Sequence, residues 1–212
     1  MAEETGSGFG VIEGVLGAGA LALGIIGLAG VHPAFLAAIA TILVGIMFLL
    51  EGNAIVRRVR QMLPEDAAPA GNGLTVQTGA GAAGIVLGIL ALLQVDPVIL
   101  TAAAVIAFGA AFVLTASNAV QSAEAGVEQS NAGPETKRAA RQLAGATAGG
   151  GVFLGAGNIV LGILAVALIG TAVAGAHHPV SAVLVLVALL ATGGAALLSG
   201  SAGQRLFASM GL

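Results

Sequence analysis

The chain has 212 residues, 58% of them hydrophobic and only 8% charged, with a formal net charge of −3 and no cysteine. Soluble domains carry about a quarter charged residues, so a mean hydropathy of +1.04 excludes an ordinary water-soluble domain. The acidic balance argues against nucleic acid as a partner, and the zero Cys count removes disulfides, thiol catalysis and thiolate metal sites.

The chain opens on a short tail, 1–10, which is acidic and lacks the basic segment of a secretory signal, so no cleaved leader is expected. Residues 11–62 then hold two uncharged apolar runs, 14–31 and 33–50, split at His32-Pro33. Each run has the length of a bilayer-spanning helix, and long runs in hydrocarbon close their backbone hydrogen bonds only as helices. Proline suits the first turn of the second helix, where its missing N–H costs nothing. His32-Pro33 is thus read as a hairpin tip.

A linker at 63–74, with breakers at Pro64 and Gly71, leads to a second unit at 75–122, where runs 78–95 and 97–116 meet at Asp96-Pro97. A polar loop, 123–148, is interrupted at Gly133-Pro134. The third unit, 149–205, divides at His178-Pro179 into the long run 144–176 and the run 179–202, before a tail at 206–212. Asp96 is a good N-cap residue; His32 and His178 are poorer ones.

The three units share one frame. Gly17 and Gly24 align with Gly81 and Gly88 at an offset of 64, and these align with Gly155 and Gly162 at an offset of 74. The segment IVLGIL occurs verbatim at 85–90 and 159–164. Gly45 and Gly109 coincide beyond the prolines, while the third copy places Ala191 there. An internal triplication of this kind predicts an all-α polytopic membrane protein. Its six transmembrane helices form three repeated hairpins with quasi-threefold symmetry. All seven basic residues (Arg57, Arg58, Arg60, Lys137, Arg138, Arg141 and Arg205) fall on the side of both termini. The positive-inside rule therefore predicts cytoplasmic termini and a multi-pass protein of the cell membrane.

Glycines seven apart lie on one helix face, and small residues let membrane helices approach closely. Gly17, Gly24, Gly81, Gly88, Gly155 and Gly162 are therefore expected to pack the odd-numbered helices at a pseudo-threefold centre; a homo-oligomer interface is the alternative. The stretch GAGAAG at 79–84 matches a dinucleotide-binding fingerprint but has no preceding strand, and no cofactor is expected. His32, Asp96, His177 and His178 lie at the proposed external tips. There they form either a titrating cluster with weak metal-binding potential or water-facing caps. Glu13 and Glu51 fall at the cytoplasmic edge, where solvation and pairing with Arg57 or Arg58 compete with a role as a proton relay. Asn158, at the position Ala20 and Gly84 hold in the first two units, is read as an interhelical hydrogen-bonding group.

The frame Gly-x6-Gly…Pro…Gly, as Gly17–Gly24…Pro33…Gly45, Gly81–Gly88…Pro97…Gly109 and Gly155–Gly162…Pro179, resembles the HdeD-like family of small bacterial and archaeal membrane proteins. That resemblance implies six helices and a role in acid resistance; the family has no established catalytic residues to carry over. Two readings of function follow. One is a non-enzymatic structural or stress-associated membrane protein, which acts as a homo-oligomer or with an unidentified membrane partner and whose activity follows external pH through the tips. The other is a narrow conduit for protons or a small neutral solute along the central axis.

Overall fold

A computed structural model describes residues 4–62, 72–129, 133–170 and 179–199. These residues form six helices: α1 (Glu4–Leu28), α2 (Pro33–Met62), α3 (Asn72–Leu92), α4 (Pro97–Gln129), α5 (Pro134–Gly170) and α6 (Pro179–Ser199). Four of the six begin on a proline, the residue whose fixed φ and absent N–H fit the first helical position. Three helical segments are long and apolar enough to cross a membrane, Pro33–Glu51, Pro97–Asn118 and Ala148–Ile169. Shorter apolar helices cover Gly14–Leu28, Val76–Leu92 and Val180–Ala196. The polar segment between α4 and α5 is helical on both sides of residues 130–133, because its Ala, Glu, Gln and Arg residues are strong helix formers. Gly133 caps α5 by accepting the Lys137 N–H at 3.1 Å.

The turns joining α1 to α2 and α3 to α4 are built alike. Gly30 N–H donates to Gly27 C=O at 3.0 Å, and Gln94 N–H to Ala91 C=O at 3.1 Å. Gly30 (φ 91°) and Gln94 (φ 63°) end the preceding helices in the left-handed region. His32 (φ 41°) and Asp96 (φ 39°) then accept the Leu36 and Leu100 N–H, each at 3.1 Å, through their main-chain carbonyls. The residue before each proline therefore caps the helix with its backbone. Positive φ is uncommon outside glycine, although Asp and His tolerate it better than most residues.

Helix order around the bundle follows from the contacts. Helices α2, α4 and α6 touch one another at the centre; α1 packs between α6 and α2, α3 between α2 and α4, and α5 between α4 and α6. The odd helices make no contact with each other among the described residues, which corrects the expectation that their glycines meet at a common centre. Those glycines instead face the central helices. A Cβ on Gly45 would lie 2.8 Å from the Gly81 carbonyl oxygen, and one on Gly81 2.7 Å from that of Gly45. Gly109 and Gly155 stand in the same relation at 2.5 and 2.6 Å. Gly193 completes the set against Gly17, at 2.9 Å from its carbonyl oxygen.

About two helical turns along, the pattern repeats. Gly88 abuts Ala38 and Ile42, Gly162 abuts Ala102 and Ile106, and Gly24 abuts Leu186 and Leu190. The third crossing partner is Gly193 rather than Ala191, because Pro179 starts α6 two residues earlier, relative to the crossing, than Pro33 and Pro97 start their helices. The two most extensive pairings thus run from one hairpin to the next, although α3–α4, within a hairpin, exceeds α1–α6. Contacts α2–α3 and α4–α5 are the most extensive in the bundle, and α1–α6 exceeds both α1–α2 and α5–α6.

Between α2 and α4, Phe48 stacks on Phe108 with ring centroids 5.2 Å apart and planes at 8°, and meets Phe112 edge-on at 5.0 Å, the Phe108 ring tip lying over Gly84 of α3. Ala40, Ala104 and Ala188, one from each central helix, are completely buried in the same core cluster. Large apolar side chains such as Ile25, Val86, Phe153 and Val160 point outward from the odd helices.

Two outcomes follow from this packing. Gly109→Ala or Gly45→Ala should lower stability by about 2–3 kcal/mol, since the added methyl meets a backbone that cannot rotate away. Gly79→Ala, in open space on α3, should raise it by about 0.5–1 kcal/mol through helix propensity alone. Thermal unfolding in detergent compares them; a Gly109→Ala protein that melts no earlier than wild type contradicts the crossing. In the turns, Gln94→Gly should stabilise, and Gly30→Ala should cost about 1 kcal/mol, because L-residues bear a left-handed penalty of roughly that size. The same melts decide it, and a Gln94→Gly protein that melts earlier than wild type, or a Gly30→Ala protein that melts later, would contradict the turn geometry.

Candidate functional site: polar pairs across the helix seams

Polar side chains are scarce inside this bundle, so each buried one reports a specific need. Asn158 on α5 is 2% exposed and donates from Nδ2 to Thr192 Oγ1 on α6 at 2.8 Å. Thr192 in turn donates to the Ala188 carbonyl one turn back, at 2.9 Å. A hydroxyl has one proton to give and two lone pairs, so Thr192 can give and accept at once and both groups are satisfied. Thr41 and Thr101 use the same internal device, donating to Ala37 and Pro97 carbonyls at 2.7 Å. The expectation for Asn158 was an interhelical bond, and the structure supplies its partner.

Glu51 closes the apolar part of α2. Its Oε2 accepts a hydrogen bond from the Nε2 amide of Gln77, which is 5% exposed on α3. The neutral amide gives the carboxyl oxygen a donor without carrying charge into the seam. The sequence reading had looked to Arg57 or Arg58 for this partner; their side chains lie outside the described residues. Gln77 escaped notice because neutral amides carry no charge signal. Yet it holds in the second unit the position Glu13 holds in the first, a polar match that the repeat frame contains. Glu13 falls on α1, and its side chain also lies outside the described residues.

The tips are only half on view. His32 and Asp96 are exposed at the start of two neighbouring central helices, on the same end of the bundle. His177 and His178 lie outside the described residues. Among the described residues no three His, Cys, Asp or Glu side chains gather as metal ligands would. Two buried hydroxyls, Thr115 Oγ1 and Ser181 Oγ, have no hydrogen-bond partner, a feature sequence reasoning did not single out.

Chemically, the two side-chain pairs act as hydrogen-bond staples on separate seams, α2–α3 and α5–α6, and share no common cavity wall. Thr192→Val should cost more than Asn158→Leu. The first leaves a buried amide unpaired, at about 1–3 kcal/mol; the second leaves Thr192 still bonded to Ala188. Unfolding in detergent reads the order, and a reversed order contradicts the donor assignment.

No protein-family model, curated protein or solved structure matches this chain. The resemblance to the HdeD-like family therefore rests on the glycine–proline frame alone.

Proposed function

We propose that the chain is an integral membrane protein of six spans, three hairpins related by a quasi-threefold axis, with both termini and the two long connections cytoplasmic. Its role is structural or stress-associated, as in the HdeD-like proteins whose frame it resembles, and it makes no chemical bond. The shorter apolar helices span together with the three long ones: α3 is locked to the long α2 at a glycine crossing, and α1 and α6, locked to each other, pack against the long helices α2, α4 and α5. The triple recurrence of that crossing supports the symmetry.

One observation carries the choice between the two readings of function. Buried apolar side chains of α2, α4 and α6, among them Val44, Val105, Val185 and Leu189, pack into one continuous core. Asn158 and Glu51, whose convergence on one axis would favour a conduit, instead bond across different seams. An apolar constriction blocks ions by dewetting, so a packed apolar core supports the structural reading.

Reconstitution in vesicles tests it together with the topology. Wild-type protein should pass protons and glycerol no faster than empty vesicles between pH 7 and pH 5; a flux that grows with protein content would favour the conduit. In cells, a membrane-impermeant thiol reagent should label Asp96→Cys from outside and leave Lys137→Cys untouched. The reverse pattern would overturn the orientation.

A further inference from the structure

Helices α2, α4 and α5 contain 30, 33 and 37 residues, roughly 45–55 Å at 1.5 Å per residue, against a hydrocarbon thickness of about 30 Å. The excess of α4 and α5 lies on one side, beyond the apolar stretches that end at Asn118 and resume at Ala148. The two helices continue there as an antiparallel pair joined through 130–133, a stalk whose contact face includes the buried Val127.

The charges of this stalk are sorted by arm. The α4 arm carries Glu124 and Glu128, both exposed. The α5 arm carries Lys137, Arg138 and Arg141, with Glu135 in its first turn, where the helix dipole favours an acid. Glu124 lies five residues before the end of α4 and Arg138 four after the start of α5, so acid and base stand at nearly the same height. No ion pair among the described residues links one arm to the other. The stalk thus presents an acidic ridge and a basic ridge, side by side, with no net charge.

We propose that the stalk docks against the stalk of a second copy, acidic arm to basic arm and basic arm to acidic arm, about a two-fold axis along the membrane normal. A partner of one sign, such as an anionic lipid surface or a polybasic segment, would be attracted by one arm and repelled by the other. A second copy satisfies both. Self-complementarity is the requirement of a two-fold interface, and the matched heights satisfy it when both copies enter the membrane in the same sense. That last condition rests on the membrane reading above. Exposed ion pairs are individually weak, so the association depends on several pairs acting together and on confinement of both copies to one membrane, which raises their effective concentration.

The test is energy transfer between donor- and acceptor-labelled copies, each carrying Ala125→Cys as its only thiol, in dilute zwitterionic vesicles. Wild type should show transfer above the chance level, and it should fall at least five-fold as salt rises from 0.1 to 1 M, where screening contracts to about 3 Å. Glu124→Arg/Glu128→Arg and Lys137→Glu/Arg138→Glu/Arg141→Glu should each lose at least five-fold of the transfer alone and recover to within two-fold of wild type when mixed. Transfer that is insensitive to salt, or a mixture that fails to recover, overturns the docking. The salt series needs no stalk variant, so a misfolded variant leaves a decisive reading in place. Failure of wild type to float with the vesicles would instead count against the membrane reading.

Discussion

Two helix backbones can touch only where neither carries a side chain in the way, and this bundle is organised by three such places. Gly45 with Gly81, Gly109 with Gly155, and Gly193 with Gly17 each put a carbonyl where a Cβ would stand. Inside a membrane there is no hydrophobic drive to bring helices together, so dispersion contacts between closely approaching backbones must do it. That requirement explains why a chain with 34 glycines is nonetheless built from long helices. The propensity lost at each crossing, about 1 kcal/mol per glycine relative to alanine, is offset by packing that only glycine permits.

The crossings also set which helices belong together. Each joins a central helix to the outer helix of the next hairpin, and the last returns α6 to α1. A hairpin of this chain therefore cannot satisfy its own glycine face; it needs a neighbour. The helix contacts close on themselves, with α6 packed against α1. The central helices bury large side chains, with Phe48 and Phe108 stacking between α2 and α4, and alanines at 40, 104 and 188 lie completely buried in the same core. Asn158 with Thr192 and Glu51 with Gln77 meet polar partners across the seams, while the buried hydroxyls of Thr115 and Ser181 meet none.

Much of this was legible in the residues. The proline tips mark helix starts because ring geometry fixes φ, and the Gly-x6-Gly spacing marks a helix face because seven residues make nearly two turns. What periodicity could not say was which neighbour each face meets, since adjacency between hairpins depends on three-dimensional closure. The odd-helix glycines were accordingly placed at the centre, one helix layer too deep. Counting from Pro179 aligns Ala191 with Gly45 and Gly109, yet the third crossing falls on Gly193, because the spacing from proline to crossing differs by two residues in α6. Gln77 and Thr192 were overlooked since their role is set by the residue opposite, on another helix, and not by anything local. The charged segment 123–148 reads as a loop by hydropathy, yet its composition is that of a helix.

Closure of the bundle between its first and last helices is the feature on which the rest depends. A Cβ at Gly24 lies 3.1 Å from the Leu190 Cβ, close to the roughly 3.5–4.5 Å that a disulfide spans, and the chain has no cysteine of its own. Oxidation of the Gly24→Cys/Leu190→Cys protein in its membrane, followed by electrophoresis, measures that contact directly. The account predicts rapid formation of an internal cross-link in most of the monomer. Free thiols, or cross-links formed only between chains, would contradict it.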